Sequence, residues 1–126
     1  MNETEPLLAF DHLPKTAGQT IRKLLRNYFG PHLCDLQVSP FNFTHPDWTL
    51  VKKLYPNLRC ASGHACATWG PVGEVESARF FTFVRLPVSR VISNYQYRLA
   101  GGKYLEEFPV WASKNSNSQV RRLAGK

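Results

Sequence analysis

Short apolar runs alternate with amphipathic stretches along this chain, and the two periods predict different elements. Leu7, Leu8, Ala9 and Phe10 form a continuous apolar run of strand length. Pro14-Lys15-Thr16-Ala17-Gly18 interrupts it, and from Gln19 onward Ile21, Leu24, Leu25 and Tyr28 recur at i, i+3, i+4 and i+7. That spacing makes one face of a helix, and Gly30-Pro31 supplies its stop. The opening unit reads as buried strand, small-residue loop with one lysine, then helix.

The alternation repeats downstream. Residues 31–50 are rich in proline, asparagine, aspartate and aromatics and read mainly as loop. A short helix is expected to start at Pro46-Asp47-Trp48 and run to Lys53 or Leu54. Leu58–Ser62 predicts a second strand ending at Gly63-His64, and residues 65–78 a connection over the surface. Phe80–Val84 is aromatic and β-branched with apolar residues on both faces, a pattern that suits a central parallel strand. Pro87 is placed to be the first residue of a helix, in which Val88, Val91, Ile92, Tyr95 and Leu99 repeat at helical spacing up to Gly101-Gly102. Residues 104–114 and 117–124 predict two further helical pieces. The order as a whole predicts an α/β fold, a parallel sheet flanked by helices, with residues 1–126 as a single domain.

Ligands of such sheets bind outside the carboxyl ends of the strands. Lys15, His64 and Arg85 each directly follow a predicted strand, so three different polar groups are expected on one edge. The loop at Pro14–Thr20 ends in a helix N-terminus, whose first N–H groups lack intrahelical partners and favour an anion. Lys15 adds a full charge, Thr16 and Thr20 add hydroxyls, and Gly18 permits close approach of the backbone. An ordinary strand–helix turn with a surface lysine fits the same residues. The pattern GxxxxGK[ST] is not matched, because Lys15 precedes the glycine.

Arg85 and Ser93 form a second candidate anion site, with Arg90 as a further cation on the same helix. A guanidinium grips phosphate through its planar fork, and a serine donates a hydroxyl. The plainer alternative pairs Arg85 with an acid and leaves Ser93 solvated. His64 follows a strand across a small-residue turn, where an imidazole suits a general base. His12 also ends a strand but precedes Leu13-Pro14 and reads as shaping the loop, while His32 and His45 fall in loops.

The 126 residues are 43% hydrophobic, enough to bury one core, and the formal net charge of +7 favours anionic partners. The basic residues are spread out, so no nucleic-acid arm is expected. Three cysteines without CxxC spacing argue against a disulfide framework and against a structural metal site. No apolar run approaches the roughly 18–20 residues that span a bilayer, and MNETEP lacks a signal-peptide pattern. A cytoplasmic location is expected, with the Golgi lumen as the alternative if an N-terminal anchor precedes these residues.

HLPKTAGQT followed by FTFVRLPVSRVISNY resembles the donor-binding signature of sulfotransferases, especially the carbohydrate group containing the heparan sulfate and uronyl 2-O-sulfotransferases. The resemblance touches most of residues 7–125. It implies a P-loop-like nucleotide-binding architecture and the donor PAPS (3′-phosphoadenosine 5′-phosphosulfate). By that resemblance Lys15, Thr16, Ala17, Gly18, Gln19 and Thr20 would bind the 5′-phosphosulfate, and Arg85 and Ser93 the 3′-phosphate. Ser62-Gly63-His64 is similar to the strand end that carries the family's base, which makes His64 and Lys15 the implied catalytic pair. Residues 117–125 resemble a segment near the acceptor side. The acceptor is implied to be a hydroxyl, as on a glycan, and no metal is implied. Leu86 stands where the family usually has aspartate, and family domains run to roughly twice this length, so an N-terminal portion is expected. Two alternatives remain: an inactive module that holds PAPS or its product, and an atypical kinase, which the absent Walker pattern and magnesium carboxylate disfavour.

Overall fold

A computed structural model of the chain describes residues 5–36, 48–64, 66–75, 77–115 and 117–125. Its centre is a four-stranded sheet in which every pairing is parallel. The strands are β1 (Leu7–Asp11), β2 (Leu33–Asp35), β3 (Cys60–Gly63) and β4 (Ala78–Phe81), in the spatial order β2-β3-β1-β4. The helices are α1 (Gly18–Phe29), α2 (Trp48–Leu54), α3 (Pro87–Ala100), α4 (Phe108–Lys114) and α5 (Ser118–Leu123). The expected α/β architecture with a parallel sheet and flanking helices is what the chain adopts.

Register explains the two cores. Leu8, Cys60 and Leu33 stand side by side on β1, β3 and β2, and Phe29 with Leu25 of α1 packs on that row. Ala9, Ala61 and Cys34 form the adjacent row, which points the other way because strand side chains alternate. That row joins Leu7, Val51 of α2, Leu58 and Val72 in the larger cluster. Cys34, Cys60 and Cys66 are buried free thiols within this framework. Across the sheet edge, Arg22 and Arg26 of α1 both reach Asp35 Oδ2 at 2.6 Å, tying the helix to β2.

Four expectations need correction. Residues 31–50 are not mainly loop at their start, since β2 occupies Leu33–Asp35 after one 3-10 turn; residues 37–47, including Pro46 and Asp47, lie outside the described residues. The strand expected at Phe80–Val84 runs instead from Ala78 to Phe81 and is, with β2, one of the two outer strands among the described residues, with Phe83 and Val84 exposed. Its chain leaves the ladder at Thr82, whose hydroxyl donates to the Asp11 carbonyl at 2.6 Å. On α3 the expected buried face is open, with Val88 71% exposed, and the helix buries Arg90 instead. On α1, Leu24 and Tyr28 are exposed, and Phe29 carries the contact with the sheet.

Candidate functional site

β1 ends between β3 and β4, so the turns that follow all three strands leave from neighbouring positions at one edge. Phe10 pairs in register with Phe81 on one side and Ser62 on the other. A row of rings crosses this edge. Phe81 stacks on Phe10 at 5.1 Å, Phe10 on His12 at 5.6 Å, and His12 on His64 at 4.6 Å between centroids.

The turn after β1 is shaped from within. Lys15 and Ala17 have φ of 62° and 64°, with Thr16 between them outside the left-handed region. Where left-handed residues alternate with right-handed ones, successive N–H groups can converge on an anion. Left-handed conformation in non-glycine residues costs about 1 kcal/mol each, so something must hold it. Thr16 does so in part: it is buried, and its hydroxyl donates to the Leu13 carbonyl at 2.7 Å. Its single proton is thereby committed inside the loop rather than offered outward. Gly18 opens α1 with no room for a side chain, because a Cβ there would lie 1.6 Å from His12 Nε2. The close approach that requires this glycine is to the His12 ring.

His64 is joined to the same loop. Its Nδ1 lies 2.5 Å from the His12 carbonyl, which can only accept, so Nδ1 carries the proton and Nε2 keeps its lone pair. Burial of the covered ring face lowers the His64 pKa, opposed by that hydrogen bond and reinforced by the nearby charges of His12, Arg122 and Arg22. The neutral, proton-accepting form is therefore favoured near neutrality.

The turn after β4 is held from outside. The Arg85 N–H donates to Gln119 Oε1 at 3.0 Å, and Gln119 Nε2 donates back to the Arg85 carbonyl at 2.8 Å. One residue earlier on α5, Ser118 Oγ meets Arg90 Nη1 at 2.5 Å, and Arg90 Nε donates to the Pro14 carbonyl at 3.0 Å. A continuous chain of contacts thus runs from the Arg85 turn through α5 and α3 to the Lys15 loop.

Not every expected group converges. The Lys15 ammonium rests 4.5 Å from the centre of the Tyr97 ring, toward the far end of α3 from Arg85. It lines a cavity there, which Arg85, Ser93 and His64 do not line. Gln19 and Thr20 are exposed on the first turn of α1, and Ser93 is half-buried midway along α3. Ser118 and Gln119 fall in the segment 117–125 expected near the acceptor side, and here they hold Arg90 and the Arg85 turn; Tyr97 and Arg98 were not singled out by the sequence, where Asn94, Tyr97, Arg98 and Gly101, at i, i+3, i+4 and i+7, carried the available signal.

On the other side of β1, the buried Asp11 has Oδ1 3.9 Å from Arg122 Nη2 and without a hydrogen-bond donor. Burial pushes the Asp11 carboxyl up despite the arginine. Among the described residues no group of three or more His, Cys, Asp or Glu side chains is placed to hold a metal ion. Nor is any described helix long and apolar enough to cross a membrane. Compared with known proteins, the chain matches no protein-family model, no curated protein and no solved structure.

Proposed function

We propose that this chain carries the donor-side machinery of a PAPS-dependent sulfotransferase acting on a hydroxyl, as on a glycan. The observation that carries this reading is the hydrogen bond from His64 Nδ1 to the His12 carbonyl, which fastens an imidazole to the first residue of the turn that holds Lys15. The residue chemistry suits a polyanionic donor: the alternating left-handed residues of the loop after β1, Lys15 among them, and Arg85 on the neighbouring turn. The P-loop-like sulfotransferase architecture belongs to the same proposal, supported by the parallel sheet and by the loop after β1.

In the proposed reaction the acceptor oxygen attacks the donor sulfur as the sulfur–oxygen bond to the nucleotide phosphate breaks. The acceptor proton passes to His64 Nε2, and the bisphosphate nucleotide departs with the bond electrons. Lys15 and the N–H groups of the loop offset the charge growing on the leaving oxygen. Arg85 and Ser93 would hold the 3′-phosphate away from the sulfur, so that binding energy orients the transfer. Burial of the His64 ring face supports the basic form needed at the outset.

Transfer of radiolabelled sulfuryl from PAPS to a panel of hydroxyl acceptors tests the reading. His64→Ala is expected to leave nucleotide binding within about twofold while lowering transfer by about 10²-fold or more. Lys15→Ala is expected to reduce both. Unchanged transfer by His64→Ala would remove the base assignment. Nucleotide binding without transfer to any acceptor would instead support the binding-module reading, which the turn of Lys15 toward Tyr97 favours.

A further inference from the structure

The cavity beside Lys15 has a chemistry of its own. It is an open cleft of about 610 Å³, within the range of roughly 300–1,000 Å³ typical of small-ligand pockets. Asn94, Tyr97 and Arg98 line it from one face of α3, with Gly101 just past the helix end, and Pro14 and Lys15 line it from the loop after β1. Lys103 completes it because the chain reverses after the helix. Gly102 takes φ of 76°, and the Lys103 N–H donates back to the Arg98 carbonyl at 3.2 Å. Three cations therefore face one space, and none of the described residues lining it is acidic.

Like charges gathered without a counter-ion repel one another, and an anion in their midst relieves the repulsion. The Lys15 ammonium already uses the one aromatic face among the described residues of that lining, at Tyr97. A cation–π contact at an exposed site is weak, so the lysine can exchange it for an oxyanion and release the ring. The freed ring face then suits a flat base or the apolar face of a sugar, and the Asn94 amide can donate and accept at its edge.

We propose that this cavity binds an oxyanion carried on a ring, with Tyr97 as the platform for the ring and Lys15, Arg98 and Lys103 as the counter-charges. Two sources share that chemistry, a phosphorylated nucleoside and an acidic sugar. The inference goes beyond the transfer reading, and its support, the lining of the cavity, does not depend on it.

Calorimetric titration of the full chain at fixed ionic strength tests the proposal. The probes are 3′,5′-bisphosphoadenosine, a glucuronate-containing sulfated disaccharide and inorganic sulfate. At least one ring-bearing anion should bind saturably, and Arg98→Ala with Lys103→Ala should weaken it about tenfold. Tyr97→Ala should weaken it about fivefold, and Tyr97→Phe should restore it. Inorganic sulfate should bind more weakly and be indifferent to Tyr97. Lys52→Ala with Lys53→Ala, on exposed residues of α2, removes equal charge elsewhere and should change binding less than twofold.

Sensitivity confined to the bisphosphate makes the source a nucleotide, sensitivity confined to the disaccharide makes it a sugar, and either result supports the site. Bisphosphate binding that responds to Arg85→Ala but not to the cavity variants overturns the cavity and leaves the transfer reading standing. Disaccharide binding that responds to the cavity variants, with no bisphosphate binding at all, supports the cavity and removes the transfer reading. Saturable binding by none of the probes overturns the proposal.

Discussion

Residues 12–17 after β1 and residues 82–86 after β4 leave adjacent parallel strands in the same direction, yet they are built by opposite means. The first is shaped by its own residues: buried Leu13 and Thr16, a hydroxyl turned inward, and a glycine pressed on the His12 ring. The second is exposed from Phe83 to Leu86 and is held by Gln119 of α5. The first turn is ordered largely by its own residues, with His64 and Arg90 adding bonds to the His12 and Pro14 carbonyls. The second leans more on a distant clamp, with the Thr82 hydroxyl on the Asp11 carbonyl as its further tie. If both serve one ligand, they differ in how much ordering each must complete on binding.

Gly18→Ala is the severest way to break the contrast. The added methyl meets His12 at the heart of the first turn, and a loss of about 3 kcal/mol in denaturant unfolding is expected. A loss below about 1 kcal/mol would show that the turn is softer than its packing suggests. Arg90→Met attacks the link between the turns, since its guanidinium holds both the Pro14 carbonyl and Ser118. About 2 kcal/mol is expected, with both turns loosened in hydrogen exchange. Gln119→Ala sharpens the contrast most directly. It should cost about 1 kcal/mol or less, speed amide exchange at Arg85, and leave residues 12–17 unchanged. Equal loosening of the two turns would erase the distinction.

The smallest expected effect is a pH dependence from His64. Its folded pKa lies below the ordinary 6.5, so below that pH the unfolded chain binds more protons than the folded one. Stability should therefore fall as pH drops from 6.5 toward the lower folded value and level off beneath it. Replacing His64 with Gln should flatten that slope in thermal melts recorded across the window. An unchanged slope would assign it to other groups.

Much of this arrangement was readable from local pattern. The β1–loop–α1 unit, α2 and the bounds of α3 follow from apolar periods, a proline and paired glycines that act within a few residues. β2 was missed because three residues of strand carry no period against a loop-rich background. β4 was placed too far along because Phe83 and Val84 are as apolar as a strand interior, although the chain has already turned away. The burial of Arg90 was illegible for a different reason. Its acceptors sit 76 and 28 residues away, and only the folded chain brings them together. The carboxyl-edge position of Lys15, His64 and Arg85 followed from topology, whereas the direction of the Lys15 side chain depended on Tyr97, a contact no spacing rule supplies.

The three thiols of this protein give it an internal clock. Burial pushes Cys34 and Cys60 up to about 12 and Cys66 well above its usual range, so almost no thiolate exists at neutral pH in the closed sheet. An alkylating reagent can then react only in moments when the chain around a thiol opens, and each labelled position dates the opening of its own stretch of chain. Cys34 on β2 and Cys60 on β3 sit on neighbouring strands, so their relative labelling rates would tell whether the edge strand peels away alone or the sheet separates as one piece.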